Sequence, residues 1–82
     1  MKKILILLVI LSSLLFAENT CYNITRSSFI NEVCYDDETE ELQLQLNYHW
    51  YSYHNVPYDK FYGLMNASSM GRYYNSYIKG IY

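Results

Sequence analysis

The sequence predicts an α+β domain: a small three-stranded antiparallel sheet, arranged as a meander, followed by two short helices packed on one face (β-β-β-α-α). Three observations carry this. Leu42, Leu44 and Leu46 alternate with Gln43, Gln45 and Asn47, the period of a strand with one wet face. The next run, "HWYSY", is rich in rings that favour a pleated surface. Beyond Pro57 the apolar spacing changes from two to a helical period and keeps it to the end of the chain.

The first strand is read in "SSFINEVCYDD", with Phe29, Ile30, Val33 and Tyr35 as its apolar residues. Ile30 and Val33 are three apart, so both point inward only if the strand carries a bulge or begins late. "DDETEE" is an acidic turn with Asp at its head, suited to type I geometry. The leucine strand follows, then a tight turn near Asn47 to His49, then the third strand. Strict alternation puts Tyr51 and Tyr53 on one face and Trp50, Ser52 and His54 on the other. Tyr51 and Tyr53 are assigned with the leucines to the helix side, and Trp50 to an exposed contact.

Pro57 opens the first helix, where its missing N–H would have had no partner. Tyr58, Phe61, Leu64 and Met65 share one face of it, and Gly63 keeps it short. Ser68 or Ser69 caps the second helix. Its stripe is Met70, Tyr74, Tyr77, Ile78 and Ile81, with Gly80 at the end.

The chain begins "MKKILILLVILSSLLFAENTC": Lys2 and Lys3, an apolar run too short to span a bilayer comfortably, then Ala17. That is the layout of a secretory signal peptide over residues 1–17, with an uncleaved N-terminal anchor as the alternative. Residues 18–26 read as a polar arm and 27–82 as the domain, in a periplasmic or secreted bacterial protein. Cleavage leaves Arg26, Lys60, Arg72 and Lys79 against all eight acidic side chains. An acidic exported domain is a poor counter-ion for a phosphate backbone, so nucleic acid is a disfavoured partner.

A mature chain of about 65 residues is marginal without a staple. Cys21 and Cys34 offer one, since export puts them in an oxidising compartment and two cysteines allow one intramolecular pairing. Closing a loop of about 14 residues contributes roughly 3 kcal/mol in the chain-entropy account. The alternative is two free thiols, with Cys34 a small buried residue in a strand.

Catalytic and metal chemistry find little support. His49 and His54 are the general-base candidates by residue type, yet their opposite parity sends them to opposite faces, and zinc needs three or four converging ligands. The cluster Asp36, Asp37, Glu38, Glu40, Glu41 lacks the spacing and glycine of an EF-hand loop. The expectation is a non-enzyme with neither cofactor nor metal. Arg72, Asn75 and Lys79, spaced i, i+3, i+7, form a cationic, amide-bearing helix edge beside the tyrosines. Such an edge suits a small anionic ligand or a protein carrying carboxylates. Tyr51, Tyr53, Trp50, Arg72, Asn75 and Lys79 are therefore the candidate binding residues.

The ordered set of Ser28 with Ile30, "VCYD", the alternating strand, "YSY", "VP" and "LMNASSMGRYYNSYIKGIY" resembles the KTSC domain, a bacterial module found at the C-terminus of some lysyl-tRNA synthetases. The matching positions include Tyr51 and Tyr53, Val56 and Pro57. They continue through Ala67, Ser69, Gly71, Arg72, Tyr73, Tyr74, Asn75, Ile78 and Lys79. The resemblance covers residues 27–82. It implies the fold above and no established activity, with RNA binding the role suggested for the family; single-stranded RNA stacked on Tyr51, Tyr53 or Trp50 is thus the alternative function. Two departures stand out. The family usually has glycine in the turn where this chain has "NYH", and often has glycine where Cys34 stands, so the cysteine pair is a local addition.

Overall fold

A computed structural model of the chain describes residues 19–82; the signal peptide expected at residues 1–17 lies outside them. Four strands, β1 (Thr20–Asn23), β2 (Ile30–Asp36), β3 (Glu41–Leu46) and β4 (His49–Tyr53), pair antiparallel in the order β1-β2-β3-β4. Helices α1 (Tyr58–Asn66) and α2 (Met70–Tyr77) follow. The α+β class, the meander and the two helices agree with the sequence reading, but the sheet has four strands where three were expected.

The added strand is the segment read as a polar arm. All four β1 residues are exposed, so no apolar alternation marks it. It is held instead by its ladder with β2 and by a Cys21–Cys34 disulfide with an S–S distance of 2.09 Å. The two cysteines face each other directly across the strands, at a Cα separation of 4.0 Å. Such close spacing belongs to the non-hydrogen-bonded pairs of an antiparallel ladder.

Of the two readings of the Ile30–Val33 spacing, the bulge is the one present. Ile30 pairs with Leu46 and Glu32 with Gln45, leaving Asn31 as the extra residue on β2. The slip turns both Ile30 and Val33 into the core, where each is fully buried. Asn31 also serves its neighbours: its carbonyl accepts from Ile24 N–H at 2.9 Å, and its side-chain oxygen accepts from Tyr48 N–H at 2.7 Å. The bulge therefore anchors the two-residue β3–β4 turn. Asn47 and Tyr48 have φ of 50° and 67°, the left-handed pair that a type I′ hairpin demands.

Asp36 heads the acidic turn, its side chain accepting from Glu38 and Thr39 N–H. At the other end of that turn, Glu40 C=O accepts from Val56 N–H at 2.9 Å, while Val56 C=O accepts from the Tyr35 hydroxyl at 2.6 Å. These two bonds fix the sheet-to-helix crossover. Pro57 sits one position earlier than expected, as the N-cap of α1, and its carbonyl accepts from Lys60 and Phe61 N–H. The Arg26 guanidinium covers the other end of α1, donating to Ala67 C=O at 2.8 Å and Met65 C=O at 2.9 Å.

Both helices lie on one face of the sheet. Ile30, Val33, Tyr35, Leu42 and Leu44 meet Phe61, Leu64, Met70, Tyr74 and Ile78 in one core. Tyr35 and Phe61 stack with centroids 4.5 Å apart, and Tyr22 reaches Phe61 from β1. Gly63 has a packing role: a Cβ there would collide with the Tyr73 ring, so the glycine leaves room for that ring of α2 to lie against α1. Ser69 is the cap of α2, accepting from Arg72 N–H. The helical stripes are narrower than their spacing suggests, since Tyr58, Tyr77 and Ile81 are exposed.

Candidate binding groove at the sheet edge

Every residue of the central buried cluster that comes from the sheet lies on β2 or β3. The helical layer thus stops short of β4, although β4 presents a face toward it. Leu44 pairs with Tyr51 and Leu42 with Tyr53, so these tyrosines share the leucines' face, as alternation required. Tyr53 is partly buried against the core, whereas Tyr51 is 48% exposed. The uncovered strip is an open groove of about 400 Å³ between β4 and α2.

Tyr51, Tyr53, Asn75 and Lys79, all picked from the sequence, line this groove together. His49 joins them from β4, and Phe29, Leu46 and Tyr74 supply apolar surface beneath. The Tyr53 and Tyr74 hydroxyls lie 2.7 Å apart with their rings edge to face, which locks the β4 side to α2. Burial, and then the hydrogen bond with Tyr74, raises the Tyr53 phenol well above its usual range, so it stays a neutral hydrogen-bonding group. Lys79 is placed by the turn that ends α2. Its N–H donates to Tyr74 C=O at 2.9 Å, and Gly80 follows with φ of 77°.

Arg72 and Trp50 lie elsewhere. Arg72 lines a neighbouring cleft of about 430 Å³, which shares Phe29 and Asn75 with the groove. That cleft also holds Arg26 and Ser27, whose polar atoms serve the α1 carbonyls and the Phe29 and Ile30 N–H groups. Trp50 projects from the opposite face of the sheet, paired with Gln45, and is 49% exposed. The two histidines divide the same way, with His49 in the groove and His54 outside it, 3.8 Å from Glu41.

No Asp or Glu lines the groove, while the acidic run Asp36 to Glu41 sits at the β2–β3 turn. Its polar lining can thus donate to an acceptor and neutralise a carboxylate. Elsewhere, Cys21, Glu32 and Cys34 have ligand-type atoms within 4.8 Å of one another. Both sulfurs are spent in the disulfide, and it is the thiolate that binds metal. Sequence reasoning passed over His49 and Phe29. The parity that His49 shares with Tyr51 would have found it; Phe29 enters through the β2 approach and has no such signal.

A four-stranded meander under one helical layer, grooved where that layer falls short of the last strand, defines a small two-layer α+β module. The sequence profile of the KTSC domain matches residues 26–82, and the chain belongs to that family. It is similar to the crystal structure of the KTSC domain protein YPO2434 from Yersinia pestis, at 30% identity and a TM-score of 0.72 over 77% of this chain and 89% of that one. No functionally curated protein matches it. Much of the motif that carries the resemblance is structural here. Val56 and Ile78 are fully buried, Ser69 caps α2, and a Cβ on Gly71 would lie 2.7 Å from the Phe29 ring.

Proposed function

We propose that this KTSC domain is a small exported, non-enzymatic binding module whose groove between β4 and α2 receives a carboxylate-bearing partner. One observation carries the reading: Tyr51, Tyr53, Asn75 and Lys79 converge on a groove free of acids, in a chain with eight of them. Tyrosine faces supply contact area at low entropic cost, and Lys79 supplies the charge that selects an anion. Export is supported by the basic-then-apolar start of the chain and by the Cys21–Cys34 disulfide, a bond rare in reducing compartments. No helix among the described residues is long and apolar enough to cross a membrane.

Stacking of single-stranded RNA, the alternative from the family, draws on the exposed Tyr51 ring. It is weakened by the placement of Trp50 on the other face and by the acidic balance of the chain. Benzoate, an aromatic carboxylate, tests the groove: the amide signals of Asn75 and Lys79 are expected to shift on titration, and Lys79→Ala to weaken binding at least fivefold. Arg72→Ala, in the neighbouring cleft, is expected to matter less. Absence of any shift at millimolar benzoate would contradict the reading, and salt-dependent binding of an RNA oligonucleotide would favour the alternative.

A further inference from the structure

We infer that the partner is an extended, carboxylate-bearing peptide segment that adds to the sheet as a fifth strand along the open edge of β4, its alternate side chains entering the groove. This rests on reading the groove as a binding site and assigns its ligand class. The first observation is the edge itself. β4 is the last strand of the sheet, and no described element pairs with its outer side. Natural edges are usually guarded by Lys, by Pro, by inward charges or by a bulge. His49-Trp50-Tyr51-Ser52-Tyr53 contains no Pro, Lys, Asp or Glu, and its pairing with β3 runs without a register shift. β1, at the other edge, is one residue shorter and stapled to β2.

The second observation is which backbone groups face outward. Leu46 and His49 flank the two-residue turn and so form a hydrogen-bonded pair. Alternation makes Leu44 with Tyr51 and Leu42 with Tyr53 hydrogen-bonded pairs too. The N–H and C=O of Trp50 and Ser52 therefore point away from β3, two residues apart, in the phase that an added strand engages. Main-chain bonding of this kind supplies affinity, and pockets for every second side chain supply specificity.

The third observation is that the groove runs beside this edge, on the side of Tyr51 and Tyr53, with Lys79 and His49 as its basic groups and no acid. A strand laid on β4 sends alternate side chains to that side, where a carboxylate meets Lys79, and the others past Trp50 on the opposite face. Both aromatic surfaces that parity separates are thus used by one ligand. A second copy of the chain is the competing occupant of an edge without Lys, Asp, Glu or Pro.

The probe is a fluorescein-labelled octapeptide of alternating valine and glutamate, with valine–lysine as its counterpart, against the oxidised domain. Binding is expected to slow hydrogen exchange of the Trp50 and Ser52 amides at least tenfold and to leave His49, Tyr51 and Tyr53 little changed. N-methylation of one alternate set of peptide nitrogens is expected to abolish binding, and of the other set to spare it. The valine–lysine peptide is expected to bind at least tenfold more weakly. Indifference to both methylation patterns, with no protection at Trp50 and Ser52, overturns strand addition. Protection that rises with protein concentration in the absence of peptide also overturns it, in favour of self-pairing. If benzoate binds and neither peptide does, the groove stands and the strand falls; if none binds, both fall.

Discussion

Tyr48 holds φ of 67° at the tip of the β3–β4 hairpin, in a region where a side chain costs about 1–2 kcal/mol. Asn47 beside it, at 50°, tolerates that region better because its short polar side chain bonds locally. The chain accepts Tyr48 because the bulged Asn31 holds its N–H, while Phe29 C=O holds that of Asn47. The ring is 79% exposed and so repays little by burial. Tyr48→Gly is therefore expected to stabilise the domain by about 0.5–1 kcal/mol, after the larger entropy of an unfolded glycine is deducted. Urea denaturation checks this, and a loss of stability would show that the ring contributes a contact worth more than the strain.

At the scale of the elements, β1 depends on its staple. Reducing the Cys21–Cys34 bond, which spans 13 positions, is expected to destabilise the domain by about 3 kcal/mol and to free the β1 amides for exchange first. A melting temperature unchanged by reductant would mean that the bond adds nothing to the fold's stability. The same strand shows where the sequence is mute. Periodicity reports only elements that bury a face, and "TCYN" buries none. Where a face is buried the signal is strong enough to mark an irregularity: Ile30 and Val33 are both core only with a bulge or a late start of the strand, and the register shows the bulge. The helical stripes overstated burial at Tyr58, Tyr77 and Ile81, since helices of eight or nine residues offer the sheet only two turns or so. For the groove, parity on β4 and spacing on α2 were enough to name Tyr51, Tyr53, Asn75 and Lys79. The spacing also drew in Arg72, which the neighbouring cleft takes, because a linear pattern does not say where one groove ends.

Over the whole molecule, the fully buried side chains are aliphatic, and of the 11 tyrosines Tyr35 and Tyr74 join them, their hydroxyls bonded to Val56 C=O and to the Tyr53 hydroxyl. Tyr35, Tyr53 and Tyr73 are all harder to ionise in the folded state, in each case first through burial. Acidic neighbours, Glu40 foremost, add to the effect at Tyr35, whereas Lys60 opposes it at Tyr73. Because an unfolded tyrosine ionises near pH 10, the stability these groups contribute is complete below that value. It is lost as the pH rises toward their higher folded values. Melting temperatures are thus expected to fall above about pH 10, and Tyr53→Phe to flatten that fall while lowering stability near neutrality through the unpaired Tyr74 hydroxyl. An equal slope in the variant would show that Tyr53 does not carry the effect.

Whether the groove face of β4 meets a partner is decided by a photo-crosslinking phenylalanine analogue placed in turn at Tyr51 and at Glu38, in the cells that make the protein. A discrete adduct is expected from Tyr51, reduced by Lys79→Ala, and none from Glu38 on the acidic turn. Equal adducts from the two positions, or an adduct from Glu38 alone, would contradict it.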